Sequence, residues 1–286
     1  MELARAQAIV TGAGGGLGGH FALELLRAGA RVAAGDASAA GLRQLAAQAA
    51  ETGLDDFRGD LRGDLRGGLP GGLPGARERL FLQRLDVTDE SSVAAFMEEA
   101  GRHLSAPNVL LNCAGIARDG LLVSQGAEGV STLPLAQWRK VVDVNLTGQF
   151  LMTRAFAARL VAAGTHPAVN AVDAVVVNLS SIARAGNPGQ SNYAASKAGL
   201  DACTRTWALE LARHGIRVGG VAPGVTVTGF LDGFSQEALA RLADAIPLAR
   251  LGQPRDIWQA VRFIVECDFF TGRTVEVDGG ASMGTL

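Results

Sequence analysis

The chain has 286 residues, 48% apolar and 19% charged, a globular composition with enough apolar side chains for a sizeable core. Its net charge of -2 gives no electrostatic case for nucleic acid or an anionic membrane as partner. No apolar run reaches the ~18 residues a membrane helix needs, and the start, MELARAQAIVTGAG, enters a strand by residue 7 without a charged-then-apolar signal segment.

Strand and helix signals then alternate. AQAIVT (6–11) reads as a strand, GLGGHFALELLRAGA (16–30) as a helix, RVAAGD (31–36) as the second strand and AAGLRQLAAQAAETG (39–53) as the second helix. LFLQRLD (80–86) is the third strand, SSVAAFMEEAGRHL (91–104) a helix and NVLLNCAG (108–115) the fourth strand. A long helix is predicted over 134–164, the fifth strand over AVVVNLS (174–180), and a helix from Tyr193 to about His214. The sixth strand is IRVGGVAPG (216–224), followed by a helix over 256–266 and a last strand, TVEVDGG (274–280). Short apolar strands alternating with helices build a parallel sheet covered on both faces. Right-handed crossovers make that sheet doubly wound, so residues 1–286 read as one Rossmann-type α/β domain.

Two segments interrupt the alternation. DDFRGDLRGDLRGGLPGGLPGARER (55–79) repeats GDLR twice and GGLP twice, and its Gly and Pro density excludes helix and strand. It enters at the amino end of the third strand, so it is expected to project away from the carboxyl edge where ligands bind. LLVSQGAEGVSTLP (121–134) follows the fourth strand at its carboxyl end and is expected at the site mouth, as a small hairpin around Gly126–Gly129.

TGAGGGLGGH follows the first strand and opens a helix, the arrangement in which a backbone turn and a helix amino terminus hold a pyrophosphate. Gly14, Gly16 and Gly19 fit one glycine register, and Gly12, Gly16 and Gly18, preceded by Thr11, fit another. Asp36 ends the second strand, where a carboxylate accepts from ribose hydroxyls and repels a 2′-phosphate. No Arg or Lys stands in the glycine turn or immediately after Asp36, so NAD(H) is preferred over NADP(H). Downstream, Tyr193 and Lys197 are four apart on one helical face, and a cation beside a phenol is expected to lower its pKa. Ser180 lies thirteen residues before Tyr193, at the end of the fifth strand, and Asn145 stands upstream in DVNLTGQF. Three cysteines (Cys113, Cys203, Cys267) and four histidines fall in no metal-ligand spacing, so no metal is expected, and reduced thiols in a cytoplasmic protein are.

Asn145, Ser180, Tyr193 and Lys197 together resemble the catalytic segment of the short-chain dehydrogenase/reductase family, and the resemblance runs from Thr11 to Gly280. It implies strand order 3-2-1-4-5-6-7 and selects the register Gly12, Gly16, Gly18, with Leu17 between them. It implies that Tyr193 shuttles the proton of an alcohol or ketone and that Lys197 binds the nicotinamide ribose. Ser180 would hold the substrate oxygen, and Asn145 would support a proton-relay water. LDVTD (85–89) matches the family's adenine contact through Asp86 and Val87, and NCAG (112–115) brings Asn112, Ala114 and Gly115 to the adenine ribose, with Cys113 expected buried and inert. PGVTVTG (223–229) resembles the turn that faces the nicotinamide carboxamide, through Pro223, Gly224, Thr226 and Thr228.

The segments 246–257 and 271–280 resemble the carboxyl-terminal signature of 3-oxoacyl-[acyl-carrier-protein] reductases. The implied function is NAD(H)-dependent interconversion of 3-oxoacyl and 3-hydroxyacyl thioesters of acyl carrier protein or CoA. The alternatives are oxidation of a free alicyclic or steroid-like alcohol, and a non-enzymatic nucleotide sensor. Residues 225–247 form a lid segment in which Phe230, Leu231, Phe234 and Leu239 either line a substrate pocket or make a helix stripe. A homotetramer is expected. The helices at 134–164 and 193–214 look too apolar for a solvent face, and the tail GGASMGTL resembles one that packs across a second interface in relatives.

Overall fold

The computed structural model describes residues 1–53, 57–59, 79–127, 129–164 and 174–281. Its main sheet has strands β1 (Gln7–Thr11), β2 (Arg31–Asp36), β3 (Phe57–Gly59), β4 (Leu80–Arg84), β5 (Val109–Asn112), β8 (Ala174–Leu179), β9 (Ile216–Pro223) and β10 (Thr274–Val277). All pair in parallel, in the order β10-β9-β8-β5-β1-β2-β4-β3. The seven expected strands therefore stand in the expected order. The remaining pair, β6 (Val123–Gly126) and β7 (Gly129–Thr132), forms the separate antiparallel hairpin that the glycines at 126 and 129 predicted.

Side-chain alternation splits the sheet between two cores. Ala8, Val10, Val32, Ala34, Val109, Leu111, Val175 and Val177 face α1 (Gly16–Arg27), α2 (Ala39–Glu51) and α8 (Pro254–Glu266), where the Phe21 and Trp258 rings lie 5.8 Å apart. Ile9, Ala33, Phe81, Leu110 and Val176 face the other layer, α3 (Glu90–Leu104), α5 (Gly148–Ala162) and α6 (Ser191–Leu211). With both faces covered, the central strands are continuous apolar runs, and all eight parallel strands end at one carboxyl edge.

The structure corrects three expectations. Strand β3 lies within the segment read as excluding strand, and it runs parallel to β4 with Gly59 level with Leu82. The chain thus leaves Gly59 heading toward the carboxyl edge, and the argument for projection from the amino edge loses its premise. The repeat itself, and the tail beyond Ala281, lie outside the described residues. The helix read over 134–164 is α4 (Leu135–Val142), a wide π turn over Asp143–Thr147, and α5. The apolar surplus on these helices is divided, part of it core and part of it not. Leu151, Met152, Phe156 and Leu200 are buried, while Phe150, Val161 and Leu209 are exposed.

Candidate active site

The carboxyl ends of β1, β2, β4, β5, β8 and β9 surround one cavity of ≈ 670 Å³. At one end lies the glycine turn. Gly12 adopts φ +65°, and a Cβ there would sit 2.7 Å from the Ala114 backbone. At Gly16 a Cβ would meet the Thr228 side chain at 2.9 Å, and at Gly18 it would strike the Gly12 carbonyl. These are the three positions of the chosen register. The first turn of α1 has no capping side chain and no acid, so its amide hydrogens stay available to an anion. This cradle of small residues and unpaired amides fits a dinucleotide pyrophosphate. Asp36 lines the cavity beside it, accepting from the amides of Gly14 (2.9 Å) and Ser38 (2.7 Å), while Ser38 caps α2. Asp86, also in the cavity wall, accepts from the Thr88 amide and hydroxyl at 2.9 and 2.7 Å, and the Thr88 hydroxyl above all holds its carboxyl below the usual range.

Of the residues named from sequence, Leu17, Val87, Ala114, Gly115, Ser180, Tyr193, Lys197, Pro223, Gly224, Thr226 and Thr228 also line this cavity. Thr11, Asn112 and Asn145 stand behind its wall. The Thr11 hydroxyl accepts from the amides of Cys113 (3.1 Å) and Ala114 (3.2 Å), tying the ends of β1 and β5 together. Asn112 begins a buried polar chain: its amide donates to Thr153 and to Asn178, both at 2.9 Å, and Asn178 donates to Thr204 on α6. Asn145, in the π turn, is fully buried and pairs with both backbone groups of Ile116 at 2.8 and 2.9 Å. Its Oδ1 and the Lys197 Nζ both lie beside Gly115, at 3.4 and 3.6 Å from where a Cβ would stand.

Lys197 is buried and donates to the Leu179 carbonyl at 2.6 Å, and its Nζ lies 5.6 Å from the Tyr193 ring centroid. Burial lowers the Lys197 pKa to about 8, against opposing pulls from Cys113 and Asp201. Tyr193 departs from expectation. Its phenol is pushed up, because desolvation outweighs the hydrogen bond from Ser181 and the nearby Asp119 adds to the rise. The Ser181 hydroxyl, in the same cavity wall as Tyr193, accepts from the Ala183 amide at 3.1 Å, whereas Ser180 donates to the Lys197 carbonyl at 3.3 Å. Cys113 is half-buried in the cavity wall rather than fully enclosed, and burial pushes its thiol up.

Sequence reasoning missed Ile116 and Ser181 and set Gly14 aside with the register not chosen; their contacts arise between segments well separated in the chain, and of Ser181 only its position next to Ser180 was visible. Phe230 and Leu231 line the cavity with Leu242 of α7 (Gln236–Asp244), while Phe234 and Leu239 do not. Among the described residues no cluster of His, Cys, Asp and Glu could hold a metal, and no helix is long and apolar enough to cross a membrane.

Tyr193 is the chain's single tyrosine, and Lys140 and Lys197 are its two lysines, so both titrations can be followed directly. Tyrosinate absorbance should emerge only above the ordinary value of 10.0. The Lys197 resonance in lysine-labelled protein, assigned by loss in Lys197→Met, should be charged below and neutral above about pH 8. A lysine midpoint near 10.5 would contradict the desolvated placement.

Residues 75–282 match the family model described as enoyl-(acyl carrier protein) reductase. The chain is 34% identical to the (3R)-3-hydroxyacyl-CoA dehydrogenase of Mus musculus over 99% of its own length and 98% of the relative's. It is 33% identical to a 3-oxoacyl-[acyl-carrier-protein] reductase of Thermotoga maritima, over 98% and 99% of the two chains. A crystal structure of a short-chain type dehydrogenase/reductase from Mycobacterium marinum superposes with a TM-score of 0.79 at 25% identity, covering 98% of this chain and 96% of the other. Sheet order, glycine cradle and end-to-end similarity agree, and the chain belongs to the short-chain dehydrogenase/reductase family of oxidoreductases.

Proposed function

We propose that the protein interconverts 3-oxoacyl and 3-hydroxyacyl thioesters, carried on CoA or acyl carrier protein, with NAD(H) as cofactor. The observation that carries this reading is the convergence of Tyr193, Lys197, Ser180 and Ser181 on the cavity whose far end holds the glycine cradle and Asp36. Full-length similarity to relatives named for those two thioester reactions supports the substrate class. A nicotinamide bound in this cavity supplies or takes the hydride.

The chain's own groups handle the proton. In reduction, Tyr193 gives its phenolic proton to the substrate oxygen, and in oxidation it takes that proton back. Its raised pKa keeps the phenol protonated at neutral pH, and the buried Lys197 ammonium stabilises the phenolate left behind. Ser180 and Ser181 offer hydroxyls to the substrate oxygen. Asn145 holds the Ile116 backbone beside Gly115 and Lys197 and supports the route by which the phenol regains its proton. The apolar wall of Phe230, Leu231 and Leu242 suits an acyl chain, with residues 225–247 acting as its lid. All three cysteines are unpaired, which supports a cytoplasmic location, to be checked by cell fractionation.

Tyr193→Phe should lower turnover by roughly 10²–10⁴-fold while leaving NADH binding, measured by fluorescence, unchanged. An NADH-oxidation screen of acetoacetyl-CoA against cyclic ketones tests the substrate class. A higher kcat/KM for cyclic ketones would favour a free alcohol or ketone instead.

Cofactor preference is assigned to Asp36. With its carboxylate oriented by the Gly14 and Ser38 amides, it accepts ribose hydroxyls and repels a 2′-phosphate. Asp36→Ala combined with Ala37→Arg should shift the kcat/KM ratio toward NADPH. A wild-type enzyme already favouring NADPH would refute the assignment. Arg84, whose Nε donates to the Ala37 carbonyl at 3.2 Å, is the nearby cation that sequence order concealed.

The exposed Phe150, Val161 and Leu209 on α5 and α6 support assembly as a homotetramer. Light scattering at micromolar concentration should give about four chain masses, and a stable, active species of 29.5 kDa would reject it.

A further inference from the structure

Beyond the Ser180 hydroxyl on the Lys197 carbonyl, the segment carrying Ser180 and Ser181 is fastened to α6 on both sides. Before it, the Leu179 carbonyl accepts from Lys197. After it, Arg184, in the short 3-10 turn Ile182–Ala185 that Ser181 caps, pairs through Nη1 with Asp201 Oδ2 at 2.9 Å. Asp201 stands one helical turn beyond Lys197, so the two attachments lie on one face of α6. The Asp201 carboxylate is buried and also accepts from the Thr274 hydroxyl of β10 at 3.1 Å, while Arg184 Nη2 binds Glu276 of β10 at 2.6 Å. Of these flanking fasteners, the proposed proton transfer asks only the Lys197 amine to change partners. The Arg184–Asp201 pair has none, and its side chains are only 19% and 11% exposed, so water screens it weakly.

We propose that Arg184 and Asp201 are positioning residues, which keep the Ser180–Ser181 hydroxyls in register with Tyr193 while the Lys197 amine changes partners. The inference rests on the reading of Tyr193 as the proton-transfer group. Asp201 has a second effect through its charge. The groups facing Lys197 are Cys113 after β5, Asn145 in the π turn, Tyr193 and Asp201 on its own helix, and the Leu179 carbonyl. Asp201 supports the ammonium. Removing its charge lowers the Lys197 pKa, whereas removing the Arg184 cation cannot.

The test uses Arg184→Ala and Asp201→Asn in the full-length protein, with kcat per folded molecule, KM for cofactor and ketone, and the Lys197 titration. Both variants should lose turnover, on the order of 10- to 100-fold, with the KM for cofactor within about twofold, since the glycine cradle is untouched. The Lys197 midpoint should fall in Asp201→Asn and not in Arg184→Ala, a divergence that general loosening of the fold would not produce. Arg184→Lys and Asp201→Glu serve where a variant does not fold, and each should recover part of the turnover. Turnover within twofold of wild type in the folded variants overturns the proposal. Tyr193→Phe separates the two levels. If it is inactive while the Arg184 and Asp201 variants are unimpaired, only the positioning role falls; if it is active, the proton-transfer reading falls too.

Discussion

Everything at the site depends on how closely the chain turning off β1 approaches the chain leaving β5. Gly12, at φ +65°, lies so near the Ala114 backbone that no side chain fits between them. The Thr11 hydroxyl bonds the two amides that follow β5, closing the same gap with polar contacts. This is the point where the strand order reverses: β1 leads outward to β2, and β5 leads the other way to β8. An open parallel sheet forms its crevice at such a point, because successive connections depart to opposite sides. The cavity opens there, between a helix amino terminus and the ends of the central strands.

The chemistry is then set by α6, which places Tyr193 and Lys197 one turn apart against the end of β8. Burial acts on the two groups in opposite senses. It disfavours the phenolate and the ammonium alike, raising one pKa and lowering the other toward about 8. The two values, ordinarily 10.0 and 10.5, therefore move apart, and the Lys197 ammonium gives up its proton at a lower pH than the Tyr193 phenol. The low-dielectric setting is supplied by the apolar sheet, and the polar chain through Thr153, Asn112, Asn178 and Thr204 fixes the register of α5 and α6 against it.

The chain's additions are unevenly attached to this frame. The hairpin of β6 and β7 leaves Leu121, Leu122, Val123 and Val130 exposed, and α7 buries none of its residues. Both follow strands at the carboxyl edge, where loops vary without disturbing the sheet. Leu242 alone joins α7 to the cavity, beside Phe230 and Leu231 of the preceding turn. This apolar part of the cavity wall thus sits beside a helix that buries none of its residues.

The sequence by itself determined what depends on local spacing and apolar periodicity. The order of the seven expected strands followed from βα alternation and the family resemblance, and that resemblance also chose the three steric glycines between the two registers their spacing after β1 allowed. The facing of Tyr193 and Lys197 followed from a four-residue interval on a helix. Tertiary structure alone decided what depends on distant segments meeting. It placed Arg84 beside Ala37 because β2 and β4 pair in register, and Arg184 against Asp201 and Glu276 because a turn, a helix and an edge strand converge. It also reversed the expected direction of the Tyr193 shift. A cation four residues away is legible in sequence, but the desolvation that raises the phenol is the sum of everything packed around it.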